Sequence, residues 1–235
     1  MDSQLKPEEL AGTARSTGLT ACCVTEHDTV WDRHEAERFA DQARMPLIRG
    51  MEVTTDLGHI IVFGLDRYLS GIRDPYVLRD RVQQAGGIMI AAHPFRNLLY
   101  HARSNGSQAP SNGRGIAREV ELAAKAPIFR LVDEVEVLNG STPDLENLLA
   151  AKVAQRLGFR GVASSDAHSI NGIGRYVTVF ERAVMTVEEL VAEVKAGRFL
   201  PGERSMERPG QPVLPYLPDK DGEERLHAAL GVRGQ

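Results

Sequence analysis

The sequence predicts one α/β domain built around a mainly parallel β-sheet. Helix-like segments alternate with short apolar runs along most of the chain, which is typical of βαβ units. The 235 residues also fit the usual size of a single α/β barrel. Several apolar runs end in a histidine or a carboxylate, and strand ends are where barrel and open-sheet enzymes collect their catalytic side chains. We therefore expect an enzyme with its site at one edge of the sheet.

The elements of the first half follow from local signals. A helix is expected over residues 7–18, because a proline suited to a first turn precedes two acidic residues and a glycine closes the segment. The next predicted elements are a strand, a helix and two strands, at residues 19–25, 32–44, 47–54 and 60–64. We expect the last two strands to pair across the turn at residues 56–58.

The second half continues the alternation after a helix at residues 75–85. Buried strands are expected at residues 88–92, 132–138 and 161–164. Residues 105–115, NGSQAPSNGRG, interrupt the pattern as a mobile loop, which is either a lid over the site or a solvated insertion. We expect the domain to cover residues 1–200. Residues 201–235, with several prolines and charges, are expected to form a partly disordered C-terminal extension with a short helix at 223–230.

The overall composition of the chain limits the classes of function that it can have. Hydrophobic residues make up 42% of the chain and charged residues 26%, and there is no apolar stretch long enough to cross a bilayer. The net charge of -4 does not indicate a nucleic-acid partner, although a local basic patch is not excluded. Adjacent Cys22 and Cys23 are expected to be reduced thiols, and MDSQLKPEELAG does not resemble a signal peptide. We expect a cytoplasmic protein with a small substrate.

Six side chains at the predicted strand ends are suited to divalent transition metals. They are His27, Glu52, His59, His93, Asp166 and His168. The other histidines, His34, His101 and His227, lie in helical or loop contexts. Since unrelated surface histidines would not sort in this way, the set predicts a metal site.

Single members of this set have alternative interpretations. His27 could be a surface residue, and His59 could be a core histidine. Glu52 lies in an otherwise uncharged strand, so its burial requires a positive partner, either a metal or an arginine such as Arg49. Asp166 and His168 are two residues apart and would project to the same side of an extended chain.

Three further residues are candidates at neighbouring strand ends. Pro94 is expected to hold His93 in an extended conformation at the rim of the sheet. Arg96 could grip a phosphate or carboxylate, or could lie on the surface. Glu136 is expected to face away from the valines on either side, either supporting a metal-binding histidine or pairing with a cation such as Arg130. Asn139 lies at the end of the same strand.

In order, the segments PEEL, TEHDT, GMEVTT, HIIVFG, AHPFR, EVLNG and SSDAH resemble the PHP family, the polymerase and histidinol phosphatase domain. The resemblance runs over residues 2–201. It implies a distorted barrel of seven βα units with two or three Zn, Mn or Fe ions that hydrolyse phosphate esters. It also implies that Glu52 bridges two metals, His59 and His93 complete one site, Asp166 binds the other bridged metal, and His27 and His168 hold the third.

The chain departs from the family pattern at its start. The family opens with a strand carrying a His-x-His pair, followed by Ser-Asp-Gly, whereas here Asp2 falls where that aspartate belongs. We therefore expect a PHP-type barrel that lacks its first strand, through truncation or natural loss. Glu52, His59 and His93 would still provide three ligands. An exposed edge at the strand of residues 19–25 would favour self-association.

The resemblance implies a metal-dependent phosphoesterase that hydrolyses a small phosphomonoester or phosphodiester by a metal-bound hydroxide. Arg96 would hold phosphoryl oxygens, and Asp166 or His168 would handle protons. The alternative is a metal-binding but catalytically impaired domain. Hydrolysis of a C–N bond is a third possibility, because similar metal sets serve that chemistry.

Overall fold

Six strands form the main sheet of the computed structural model, which describes residues 7–98, 115–204 and 213–216. In sequence order, which is also their order across the sheet, they are β1 (Cys22–His27), β2 (Leu47–Thr55), β3 (Gly58–Phe63), β4 (Ile88–Ala91), β5 (Glu134–Asn139) and β6 (Val162–Ser164). The sheet is curled into a half-barrel within a mixed α/β fold. The α/β class predicted from the sequence is therefore confirmed, while the seven-unit barrel and the loss of a first strand stay predictions.

Strand direction is what brings the candidate residues to one edge. The pairs β1–β2, β4–β5 and β5–β6 are parallel, whereas β3 is antiparallel to both β2 and β4. The predicted pairing of β2 with β3 is thus confirmed, across a turn at residues 56–57. Because β3 runs in the opposite direction, its first residues lie beside the last residues of β2 and β4, at the edge of the sheet where the other five strands end.

Helices flank the sheet, and at three of them a side chain caps the first turn. They are α1 (Pro7–Ser16), α2 (Arg33–Ala43), α3 (Pro75–Gln84), α4 (Gly115–Ala123), α5 (Asp144–Leu157) and α6 (Val187–Ala196). The Asp32 and Asp74 carboxylates accept hydrogen bonds from the free backbone N–H groups that begin α2 and α3. Thr186 and Glu189 form a reciprocal capping box at α6. No helix within the described residues combines the length and apolar character that crossing a membrane requires.

Apolar side chains pack on both faces of the sheet, as expected for strands covered on each side. On one face, Met51 and Val53 of β2 pack with the residues around α3 and α5. On the other face, Ile61 of β3 and Ile90 of β4 pack with residues of α6. Alternation along β2 therefore turns Glu52 away from the first cluster, toward the face that holds Ile61, its directly paired neighbour.

A second, antiparallel sheet follows the main one. It contains β7 (Tyr176–Phe180), β8 (Phe199–Glu203) and β9 (Leu214–Pro215). Thr178 of β7 joins it to β6, since its Oγ1 accepts from Ala163 N at 3.0 Å and donates to Ala163 O at 2.9 Å. β8 crosses the predicted domain boundary after residue 200. Asp2, residues 105–114 of the expected loop and the expected helix at 223–230 lie outside the described residues.

Candidate metal centre

Glu52 is the centre of a cluster of imidazoles at the edge where β1 and β2 end. Its side chain lies in the sheet interior, with the residue only 7% exposed. His59 Nδ1 lies 2.7 Å from Glu52 Oε1, and His93 Nε2 lies 3.0 Å from the same oxygen. One carboxylate oxygen thus accepts hydrogen bonds from two imidazoles, that of His59 in β3 and that of His93 just after β4.

His27 completes this cluster from the edge strand. It pairs with Glu52 across β1 and β2, and its ring lies edge-on to that of His59 with centroids 5.1 Å apart. One ligand atom from each of His27, Glu52 and His59 lies within 4.8 Å of the others, a spacing that could hold a metal ion. Within the described residues, this is the only group of three or more such side chains with that spacing.

The cluster's electrostatics favour an ionised Glu52 carboxylate that accepts hydrogen bonds from imidazoles. Burial opposes ionisation of Glu52, but hydrogen bonds from His59 and His93 outweigh it and hold the pKa of this carboxyl well below its ordinary value. The hydrogen bond to Glu52 in turn raises the pKa of His59, against the opposing effect of burial. Arg49, the alternative partner for Glu52, instead contacts Asp66 and the backbone oxygen of Trp31.

Glu136 of β5 supports the backbone beneath His93. Its Oε2 accepts from His93 N at 2.7 Å and from Asn139 Nδ2 at 2.9 Å, and its Oε1 accepts from Ser164 Oγ. Glu136 is 2% exposed, and this burial raises the pKa of its carboxyl despite these hydrogen bonds. Its described contacts therefore join the ends of β4, β5 and β6.

His93 does not have the extended backbone that Pro94 led us to expect. Its φ is 27°, in the left-handed region that costs free energy for a residue with a side chain. The hydrogen bond from its N–H to Glu136 holds this turn and directs the imidazole toward Glu52. The prediction of an extended His93 was wrong because it considered only the steric effect of the following proline.

Asp166 and Arg96 form an ion pair beside this cluster. Arg96 Nη2 contacts Asp166 Oδ2 and donates to Asn139 Oδ1 at 2.9 Å, while its Nε donates to Thr142 Oγ1 at 3.3 Å. Asp166 also has a left-handed backbone, with φ of 46°. Asp166 is therefore directed at the guanidinium of Arg96.

His168 lies on the same loop as Asp166 and is more exposed. Its Nδ1 is 3.0 Å from the backbone oxygen of Asp166 and 3.8 Å from Asp166 Oδ1. The structure thus brings His27, Glu52, His59 and His93 together, and it joins Asp166 to Arg96, with His168 beside Asp166. The roles predicted for these residues as ligands or catalysts, and those of Glu136 and Asn139, stay predictions.

Sequence reasoning missed several hydroxyl and amide side chains that hold this edge in place. Ser141 Oγ donates to the backbone oxygen of Asp166 at 2.8 Å, and Thr142 Oγ1 donates to Asn139 Oδ1 at 3.1 Å. Asn147 of α5 bonds the backbone N–H and the backbone oxygen of Asn139. The run of residues 139–142, Asn-Gly-Ser-Thr directly after a buried strand, is the signal that marks a hydrogen-bonded turn here.

The sequence of residues 144–199, from the start of α5 to the start of β8, matches the model of the PHP-associated family. Two uncharacterized proteins of Methanocaldococcus jannaschii are also similar. MJ1587 is 24% identical over 94 residues, covering 40% of this chain, and MJ0417 is 26% identical over 145 residues, covering 61% of it. The match spans 55% of each relative, so the chain corresponds to about half the length of these proteins.

Two solved structures share the fold. One is a "putative metal-dependent phosphoesterase" from Bifidobacterium adolescentis, with a TM-score of 0.51, 16% identity, and coverage of 82% of this chain and 91% of the other. The second is PsfC from Pseudomonas syringae, with a TM-score of 0.50, 18% identity, and coverage of 80% of each chain. At these identities the similarity establishes the fold.

Proposed function

The chain is a member of the PHP family, and we propose that it is a metal-dependent phosphoesterase acting on a small phosphomonoester or phosphodiester. The observation that carries this proposal is the cluster of His27, Glu52, His59 and His93. The name of the Bifidobacterium adolescentis structure, a metal-dependent phosphoesterase qualified as putative, supports the same class of reaction.

The donor set of this cluster fits a divalent transition metal. Zn, Mn and Fe ions bind imidazole nitrogens and carboxylate oxygens. One such atom from each of His27, Glu52 and His59 lies close enough to the others for the three to share one ion. Glu52 is both buried and ionised, so a fixed cation would stabilise it further. We infer that these three residues hold the metal and that His93, through the same carboxylate, completes or orients the set.

A bound metal would act as a Lewis acid, activating water and neutralising charge on the ester. Arg96 would hold a phosphoryl oxygen, because its described contacts use Nε and Nη2 and leave the Nη1 donors for an anion. His168, exposed at the rim beside Asp166, would exchange a proton with the leaving oxygen. These roles place anion binding and proton transfer on neighbouring loops of one edge.

The test is hydrolysis of p-nitrophenyl phosphate and bis(p-nitrophenyl) phosphate with Mn²⁺, Zn²⁺ or Fe²⁺. A His93→Ala protein should lose about 100-fold or more in kcat/KM, because an imidazole directed at the buried carboxylate is removed. His34→Ala is the matched control, since His34 lies on α2 with its side chain 85% exposed. Equal activity in the His93 variant and the wild type would refute the assignment. Metal binding without hydrolysis of either ester would favour the catalytically impaired alternative.

A further inference from the structure

We propose that the Arg96 guanidinium takes the place of a second metal ion beside Asp166, so that among the described residues only His27, Glu52 and His59 bind metal. The proposal rests on the metal dependence proposed above and specifies how many ions the site accepts. It follows from the different partners that the structure gives to the carboxylates of Glu52 and Asp166, which are imidazoles for Glu52 and a guanidinium for Asp166.

Asp166 is held in position to face Arg96. Its side chain is 14% exposed, so its charge needs a nearby cation. Its backbone oxygen accepts from Ser141 Oγ, and its left-handed backbone fixes the direction of the carboxylate. Asp166 Oδ2 contacts Arg96 Nη2, so the charge of the buried carboxylate is already compensated.

Arg96 is anchored by more than this ion pair. Asn139 Oδ1 and Thr142 Oγ1 accept from Nη2 and Nε. Asn139 is 1% exposed and is itself fixed by Glu136 and Asn147, so the acceptor cannot turn away without leaving buried polar groups unpaired. A guanidinium held by three acceptors in a partly buried site is a fixed charge rather than a mobile surface group.

The fixed charge of Arg96 also opposes a metal ion at this position. A divalent ion beside Asp166 would lie next to the Arg96 guanidinium, whose Nη2 contacts Asp166 Oδ2, and like charges repel. Glu52 is therefore the carboxylate left for metal, because its described hydrogen-bond partners are imidazoles, which bind metal when neutral.

The experiment counts metal ions rather than turnover. The chelator-treated protein of 235 residues is titrated with Mn²⁺, and bound metal is measured by elemental analysis after removal of free ion. We expect about one equivalent for the wild type, about two for Arg96→Gln, and about one again for Arg96→Gln with Asp166→Asn, since metal binding requires free anionic ligands. Arg73→Gln, which removes an exposed arginine paired with Asp56, is the matched control and should keep the wild-type value.

The outcomes separate this proposal from the proposed function. Two or more equivalents in the wild type, or an unchanged value in Arg96→Gln, would overturn the role of Arg96 while leaving metal dependence intact. No bound metal in any variant would refute metal dependence itself. Glu52→Gln should abolish the wild-type equivalent, and circular dichroism of each variant verifies that it is folded.

Discussion

Glu136 and Glu134 offer a matched test of whether β5 positions the proposed metal site. Both residues are buried on the same strand, and the carboxylate of each accepts from two N–H donors. Glu136 accepts from His93 N and Asn139 Nδ2 near the site, whereas Glu134 begins the strand at the opposite edge and accepts from the backbone N–H groups of Arg160 and Gly161. Replacing each with alanine therefore removes two such hydrogen bonds, close to the site in one variant and far from it in the other.

The expected loss of stability is of the same order for the two alanine variants and larger for Glu136→Ala. A buried donor left without an acceptor costs about 1–3 kcal/mol, so two donors cost at most about 2–6 kcal/mol. For Glu134→Ala the donors are Gly161 N and Arg160 N, which lie 3.0 and 3.3 Å from the carboxylate oxygens, and water can solvate the second because Arg160 is exposed. Glu136→Ala also removes the acceptor of the Ser164 hydroxyl, which adds to its loss.

The effects on metal affinity should differ sharply. Without Glu136, the left-handed turn at His93 loses the acceptor of its N–H, and removing a group that orients a metal ligand typically lowers affinity about 10–100-fold, or about 1.4–2.7 kcal/mol. Glu134→Ala should leave the affinity unchanged, because no described hydrogen bond of that carboxylate reaches the site.

Urea unfolding measures the stability of each variant, and Mn²⁺ titration against a chelating dye measures affinity. Glu136→Gln keeps one acceptor oxygen for His93 N, so it should recover most of the lost affinity. Equal affinities in Glu136→Ala and Glu134→Ala would refute the positioning role of Glu136. A variant that unfolds outright is replaced in the comparison by the glutamine pair.

Two further predictions concern the loop of Asp166 and the pH dependence of stability. In Gly140→Ala the new Cβ would lie 2.2 Å from the backbone oxygen of Ser165, so we expect a displaced Asp166 loop, about 1–3 kcal/mol less stability and weaker ester hydrolysis; unchanged thermal unfolding and activity would contradict that close approach. Burial raises the pKa of Glu134 above 4.5, so the native state holds this proton more tightly than the unfolded state, and the residue's contribution to stability falls as pH rises from 4.5 through the raised pKa. Glu134→Gln should flatten that decline in urea unfolding measured across this range, and an equal slope would show that another group causes it.

The sequence allowed the main sheet to be predicted but not the second one. β1 to β6 are short apolar runs separated by helices or turns, and such runs are recognisable locally. The strands β7, β8 and β9 pair antiparallel, and two of them contain a proline, Pro201 or Pro215, which normally argues against a strand. Pro201 begins the predicted C-terminal extension, but in the structure it lies opposite Thr178 in the second sheet.

The residue types of the candidate site were predictable from the sequence, but the contacts between their side chains were not. Glu52 was marked by a charge inside a buried strand, and His93 by its place after one. The division between a cluster around Glu52 and a pair of Asp166 with Arg96 depends on contacts between residues 70 positions apart. No local pattern encodes such a separation, because it arises from the curvature of the sheet and the side chains beneath it.

The close approach of His27, Glu52 and His59 depends on β3, which runs antiparallel to its two neighbours in the main sheet. His59 lies near the start of β3, so a rule that looks only at the last residues of strands would overlook it. Because β3 is antiparallel to β2, His59 pairs with Thr54 and lies at the edge where the other strands end. The parallel pairing of β1 places His27 beside Glu52 at that edge. A register shift of one residue in β3 would turn His59 to the opposite face and remove a proposed ligand, so the hairpin that forms the fold also determines the geometry of the proposed metal site.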